Sequence, residues 1–151
     1  MAQSFARLWT HLIFSTKDRF PFLTDSVLRS EMHAYLAEML RKHDCQTLIV
    51  GGVEEHVHSL FALSRTHQIA SVVKEVKRTS SGWIKEASRN LSKFHWQGGY
   101  AAFSVSHSNL VDVIRYIENQ EEHHKRVTFQ DEYRAFLKAY EVEFDERYIW
   151  D

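Results

Sequence analysis

Along the chain, apolar residues recur with period two in some stretches and at helical spacing in others, in the order strand, helix, strand, strand, helix, strand, helix, helix. That order predicts an α+β fold, a ferredoxin-like antiparallel sheet with helices packed on it and additional C-terminal helices. Size agrees, because 151 residues bury one core of two packed layers but not two such cores. Punctuation agrees as well. With one proline and five glycines, and no low-complexity run or internal repeat, the chain has no linker at which to divide it. Residues 1–151 therefore read as a single domain.

The first strand is 7–15, an alternating run rich in Leu, Trp, Ile and Phe that residues 18–21 break. Thr24 suits an N-cap, and Leu28, Met32, Tyr35, Leu36, Met39 and Leu40 follow at helical spacing. Arg41, Lys42 and His43 then load the last turn with the positive charge a helix dipole favours there. Two β-prone runs, 47–50 and 56–63, flank Gly51-Gly52 with residues 53–55 between, which is the pattern of a hairpin. Thr66 can cap a second helix whose apolar stripe is Ile69, Val72, Val73 and Val76, continued by Trp83 and Ile84. Gly98-Gly99 leads into a fourth strand at 100–106. Ser106 or Ser108 caps the next helix, which turns Leu110, Val113, Ile114 and Ile117 inward, and Thr128 opens a last helix through Phe136 and Leu137.

A hydrophobic fraction of 44% and a charged fraction of 26% exclude a disordered or fibrous chain. The single cysteine, Cys45, cannot form an internal disulfide and reads as a buried, inert side chain. No apolar stretch is long enough to span a membrane and the N-terminus lacks a signal-peptide layout, so a cytoplasmic location is expected. A net charge of -1 argues mildly against nucleic acid, but 19 basic residues and ten histidines can be segregated onto one face, so distribution matters more than the sum.

The chemistry gathers in two clusters. His56-Val57-His58 falls in a predicted strand, where alternate side chains share a face, so the two imidazoles stand about 6.5 to 7 Å apart on one side. Two imidazoles so placed can share a metal, although an H-x-H taken alone is more often a pair of partly exposed histidines. In the helix after Ser108, Asp112, Tyr116 and Gln120 lie at i, i+4 and i+8, with His123 and His124 one turn further. At about 100° per residue this polar stripe flanks the apolar one, which puts Tyr116 at the packing boundary rather than wholly in solvent.

The runs Glu55-His56-Val57-His58-Ser59-Leu60 and Tyr116-Ile117-Glu118-Asn119-Gln120 resemble the insertion-sequence-200-like transposases, the single-tyrosine HUH group. Similarity extends to residues 9–19, 69–77 and 99–106 and to Glu122-His123-His124-Lys125, so it covers nearly the whole chain. The resemblance implies a transposase, in some relatives tied to repeated palindromic elements, that acts on single-stranded DNA with hairpin or palindromic ends through a 5′-phosphotyrosine. It further implies Tyr116 as nucleophile, His56, His58 and Gln120 as ligands of a divalent cation, usually magnesium, and a homodimer in which the tyrosine helix of one subunit serves the histidine pair of the other. Two imidazoles and an amide are softer donors than magnesium prefers, so manganese is an equal candidate.

Other residues keep more than one reading. His124 could be a ligand, a DNA contact or an ornament of the last turn, and the last two are preferred. Lys74, Lys77, Arg78 and Lys85 share one helix face, suited to a phosphate backbone or simply to solvent, and Lys17 and Arg19 are similarly ambiguous. Trp9, Trp83, Trp96 and Phe103 could stack bases, but aromatics at such spacings are more often core. The competing function is a domesticated, catalytically inactive hairpin DNA- or RNA-binding protein, which needs no hydroxyl at position 116.

Overall fold

Alternation along four strands gives the sheet two different faces, and each face has its own helical layer. A computed structural model of the protein describes residues 1–151. Strands β1 (Trp9–Ser15), β2 (Gln46–Gly52), β3 (His56–Ala62) and β4 (Ala101–Ser104) pair antiparallel in the order β2-β3-β1-β4. That is the ferredoxin-like arrangement, with Ile13 opposite His58 and His11 opposite Leu60. Leu12, Phe14, Val57 and Phe61 point to one face, where they pack with Met32, Leu36 and Leu40 of α1 (Ser26–Lys42) and Val72, Val73, Val76 and Ile84 of α2 (Ile69–Ala87). Ile13, Ala101 and Phe103 point to the other and meet Phe129, Tyr133 and Leu137 of α5 (Phe129–Ala139). On that same face α3 (Leu110–Glu118) and the one-turn α4 (Gln120–His123) lie over β2 and β3. Both faces of the sheet are thus covered, which is why every residue of β3 is buried.

Several boundaries differ from the sequence-based expectation, each for a local reason. The N-cap of α1 is Asp25, not Thr24, because its carboxylate accepts from the amides of Val27 and Leu28. Thr66 does not cap α2; it belongs to a turn in which Ser64, Thr66 and His67 bond one another, and α2 begins after Gln68. The polar stripe expected on one helix from Asp112 to His124 is split at Asn119, whose backbone (φ -96, ψ 19) separates α3 from α4. Of the inward-turned residues of α3 only Ile117 is fully buried, so the tyrosine helix is held shallowly.

Gly51 and Gly52 are what let α3 and the hairpin approach. A Cβ on Gly51 would lie 2.9 Å from the Ile117 Cγ2, and one on Gly52, at φ +156, would lie 2.2 Å from the carbonyl oxygen of His56. Trp9, Trp96 and Phe103 are buried and Trp83 stacks on Tyr35, so these aromatics pack the protein rather than await bases. Cys45 is buried too, and burial raises its thiol pKa away from the reactive range. No helix is long and apolar enough to cross a membrane.

Candidate active site

Strand β3 carries His56 and His58 on the face covered by α3, α4 and α5, and both side chains have 0% exposure. They meet there Gln120 and His124, from α4 and its C-cap, and Glu132 from the first turn of α5. His56 Nε2 lies 2.9 Å from Gln120 Oε1, and His124 Nε2 lies 3.0 Å from the same oxygen. Glu132 Oε1 is 3.0 Å from His58 Nε2, 3.2 Å from His124 Nε2 and 3.5 Å from His56 Nε2. Five side chains from three elements therefore aim one donor atom each at a common point.

The tautomers make this an acceptor-lined cage. His56 Nδ1 donates to Glu55 Oε1 at 2.7 Å, and His124 Nδ1 donates to the carbonyl of Val127 at 2.7 Å. Both partners accept only, so in the neutral rings each Nε2 is a bare lone pair. Gln120 Nε2 donates to Glu132 Oε2 at 3.1 Å, which turns the amide oxygen toward those lone pairs. Acceptor facing acceptor at about 3 Å is repulsive unless a cation sits between them. The separations also suit a metal, because metal–ligand bonds of about 2.1 Å give edges of roughly 3.0 Å in an octahedron and roughly 3.4 Å in a tetrahedron. The donor set fits a divalent cation on both counts.

Titration of the surrounding groups follows from burial and neighbours. Burial pushes His11 down to about 3, aided by His58, and pushes His58 down to about 4 although Glu132 opposes it. His11 Nε2 and His58 Nδ1 share a hydrogen bond of 2.8 Å, so His11 fixes the plane of the His58 ring from behind. Burial disfavours charge on His124 as well, but the hydrogen bond and charge of Glu132, the Val127 carbonyl and the charge of Glu55 together outweigh it and raise that pKa. Glu132 is held well below the usual carboxylate range: burial resists its ionisation, and hydrogen bonds with His124 and His58 overcome that resistance.

Tyr116 stands one turn before Gln120 on α3, and its hydroxyl donates to Glu132 Oε2 and lies 3.3 Å from His123 Nε2. Its ring meets those of His58 and His11 edge-on, with centroids 5.8 and 6.3 Å apart. Burial raises its pKa above that of a free phenol, and the charge and hydrogen bond of Glu132 raise it further. The helix expected to serve a partner's histidines places its tyrosine against those of its own chain, since Ile117 docks α3 on β2 immediately beside β3. Open space adjoins the hydroxyl. A cavity of about 310 Å³ with His11, Asn109, Asp112, Phe136 and Tyr140 among its walls adjoins Tyr116, as does an apolar cleft of about 420 Å³ bordered by His123, Glu132 and Phe136.

The structure brings together His56, His58, Tyr116 and Gln120, but not the basic residues singled out with them. Lys77 donates from Nζ to the carbonyls of Gln97 (2.9 Å) and Gly99 (2.6 Å), and burial pushes its pKa down to about 8, so it is a structural lysine rather than part of an open cationic face. Lys74, Arg78 and Lys85 lie on α2, whose layer covers the other face of the sheet, and Arg78 is paired with Glu75. Lys17 is exposed beyond β1, while the Arg19 guanidinium sits 5.3 Å from the centre of the Trp150 ring. His124 belongs to the cage, contrary to its preferred reading as a DNA contact or ornament, because the break at Asn119 turns α4 toward the sheet. Glu132 and His11 were not legible as site residues. A glutamate four residues after the N-cap Thr128 looks like ordinary charge in the first turns of a helix, and His11 is one more residue in an alternating strand.

A four-stranded ferredoxin-like sheet thus presents a buried histidine pair to a helix that carries a tyrosine. The chain belongs to the family described as transposase, IS200-like, which matches residues 4–120, and family membership makes it a DNA transposase. Among solved structures it is similar to a protein of Deinococcus radiodurans R1 provisionally named a transposase, at 25% identity and a TM-score of 0.64 over 80% of this chain and 95% of that one. It is also similar to a REP-associated tyrosine transposase solved with a REP hairpin, at 12% identity and a TM-score of 0.55 over 83% of this chain and 72% of that one. At 12% that second likeness is one of fold alone. No curated protein is significantly similar in sequence.

Proposed function

We propose that the chain, acting as a single domain in the cytoplasm, cleaves and rejoins single-stranded DNA with hairpin or palindromic ends, using Tyr116 as nucleophile and His56, His58 and Gln120 as ligands of magnesium or manganese. The observation that carries the reading is the convergence of the Tyr116 hydroxyl, the Nε2 atoms of His56 and His58 and the Gln120 amide nitrogen on one buried carboxylate. In cleavage the Tyr116 oxygen attacks the phosphorus, the new Oη–P bond forms as the P–O3′ bond breaks, and the strand departs with a free 3′-hydroxyl. The phosphotyrosine conserves the energy of the broken linkage, so attack by another 3′-hydroxyl rejoins DNA without an external energy source. A divalent cation in the cage supplies charge that polarises the phosphate and offsets Glu132 beside the attacking oxygen. His11 keeps His58 oriented, Glu55 and Val127 hold His56 and His124 in the tautomers that aim Nε2 inward, and Glu132 accepts the hydrogen bond of the phenol whose proton must leave. The REP hairpin bound by the similar REP-associated transposase supports hairpin DNA as the substrate class.

We also propose a homodimer, because two copies supply the two ends that strand exchange joins and β2 and β4 are free edges that pairing would cover. The test is incubation with single-stranded DNA bearing palindromic ends plus Mg²⁺ or Mn²⁺, followed by denaturing electrophoresis. The wild-type chain forms a denaturant-resistant protein–DNA adduct and Tyr116→Phe forms none while still binding DNA. Equal yields end the role of Tyr116, and hairpin binding with no adduct from the wild type favours the domesticated binder.

A further inference from the structure

The family match ends at residue 120, yet the site does not. Glu132 lies beyond it on α5, is 2% exposed, and uses its two oxygens differently. Oε1 faces the cage, within 3.5 Å of the Nε2 atoms of His56, His58 and His124. Oε2 accepts from the Tyr116 hydroxyl and from Gln120 Nε2, with His123 Nε2 at 3.2 Å. A buried carboxylate with one oxygen among metal-ligand donors and the other on the nucleophile joins two things that a histidine pair and a tyrosine helix leave separate.

We infer that Glu132 is a metal ligand that also tethers Tyr116, so that α5 locks the nucleophile of each chain to that chain's own metal cage. The inference rests on the cage being a metal site, as proposed above. With Glu132 and His124 added to His56, His58 and Gln120, the site offers five protein donors and leaves few positions for solvent or phosphate. Three imidazoles among them favour a first-row transition ion such as Mn²⁺ over Mg²⁺, which keeps its waters and prefers oxygen donors. The tether also accounts for how α3, fully burying only Ile117, is kept in register. The hydroxyl–carboxylate bond holds it from the α5 side, and the docking of Ile117 against Gly51 holds it from the β2 side.

Two properties of one side chain can be separated with two variants. Mn²⁺ is titrated calorimetrically into the full chain, and hydrogen–deuterium exchange is followed peptide by peptide without metal. Glu132→Gln is expected to weaken Mn²⁺ binding by at least about tenfold and to speed exchange in residues 110–118 while the sheet and α1–α2 stay protected. Tyr116→Phe is expected to speed exchange in the same residues but to leave Mn²⁺ affinity unchanged, a split that general destabilisation does not produce. Glu132→Asp, which keeps the charge on a shorter stem, recovers part of the affinity and serves as the measured variant if Glu132→Gln does not fold. Wild-type affinity in Glu132→Gln, or in Glu132→Asp with no loss at all, overturns the ligand role; unchanged α3 exchange in both Glu132 and Tyr116 variants overturns the tether. A wild-type chain that binds no divalent ion sinks the metal reading first. One that binds Mn²⁺ through Glu132 but never forms an adduct sinks the transferase reading and leaves this one standing.

Discussion

His56 and His124 bracket one amide oxygen, and that arrangement decides how the cage responds to pH. In the metal-free chain the raised pKa of His124 means that a proton can occupy the space a cation would take. Metal binding must then expel that proton. Lowering the pH through the raised range of His124 therefore weakens Mn²⁺ binding, raising it strengthens binding, and protons are released on complex formation. Calorimetry in two buffers of different ionisation enthalpy counts them, and a count of zero across that range would remove His124 from the cage. His56→Ala or His58→Ala is expected to lower metal affinity and adduct formation together, since each deletes a donor whose orientation a neighbour has already fixed. At this scale the sequence placed His56 and His58 on one strand face by their spacing and singled out Tyr116 and Gln120 through family resemblance, although the helix expected to carry both is broken at Asn119. It could not reach Glu132, whose importance comes only from what lies across the gap.

Among the elements, α3 and α2 make opposite claims. Helix α3 approaches β2 so closely that Gly51 has no room for a methyl group, with Ile117 Cγ2 at 2.9 Å and the Ile117 carbonyl oxygen at 3.1 Å from the Cβ site. Gly51→Ala is expected to push α3 and α4 outward, displacing Tyr116 and Gln120 together. Overpacking of this kind costs about 1–3 kcal/mol, visible as a lower melting temperature, while adduct formation falls more steeply than the folded fraction. An active, destabilised variant would show that the site tolerates movement of α3. Helix α2 carries Lys74 and Arg78 in the layer on the far face of the sheet. Replacing both with alanine is expected to reduce the slope of log affinity against log salt by no more than about two and to leave adduct yield at saturating DNA unchanged. A fall in yield would bring α2 into the reacting complex.

In the molecule as a whole, Lys77 joins α2 to the segment before β4, its amine between two carbonyls and near the rings of Phe14 and Tyr100. Burial lowers its pKa from 10.5 to about 8, so between those values the unfolded chain holds more protons than the folded one. Its contribution to stability therefore rises with pH across that window and is lost as pH falls through about 8. Denaturant melts at several alkaline pH values should show this slope in the wild type and lose it in Lys77→Met. From the sequence alone came the α+β class, the order of elements and the shared face of the histidine pair, because strand and helix periods are local and put nearby residues on a common face, while Tyr116 and Gln120 entered through the resemblance to the IS200-like transposases. Tertiary structure alone decided the rest. It sent the α2 lysines to the far side of the sheet, made Lys77 structural, broke the stripe at Asn119 so that His124 turns inward, and set Glu132 of α5 between the cage and Tyr116. These are contacts between segments far apart along the chain, and periodicity carries no information about which distant side chain will fill the space a face leaves open.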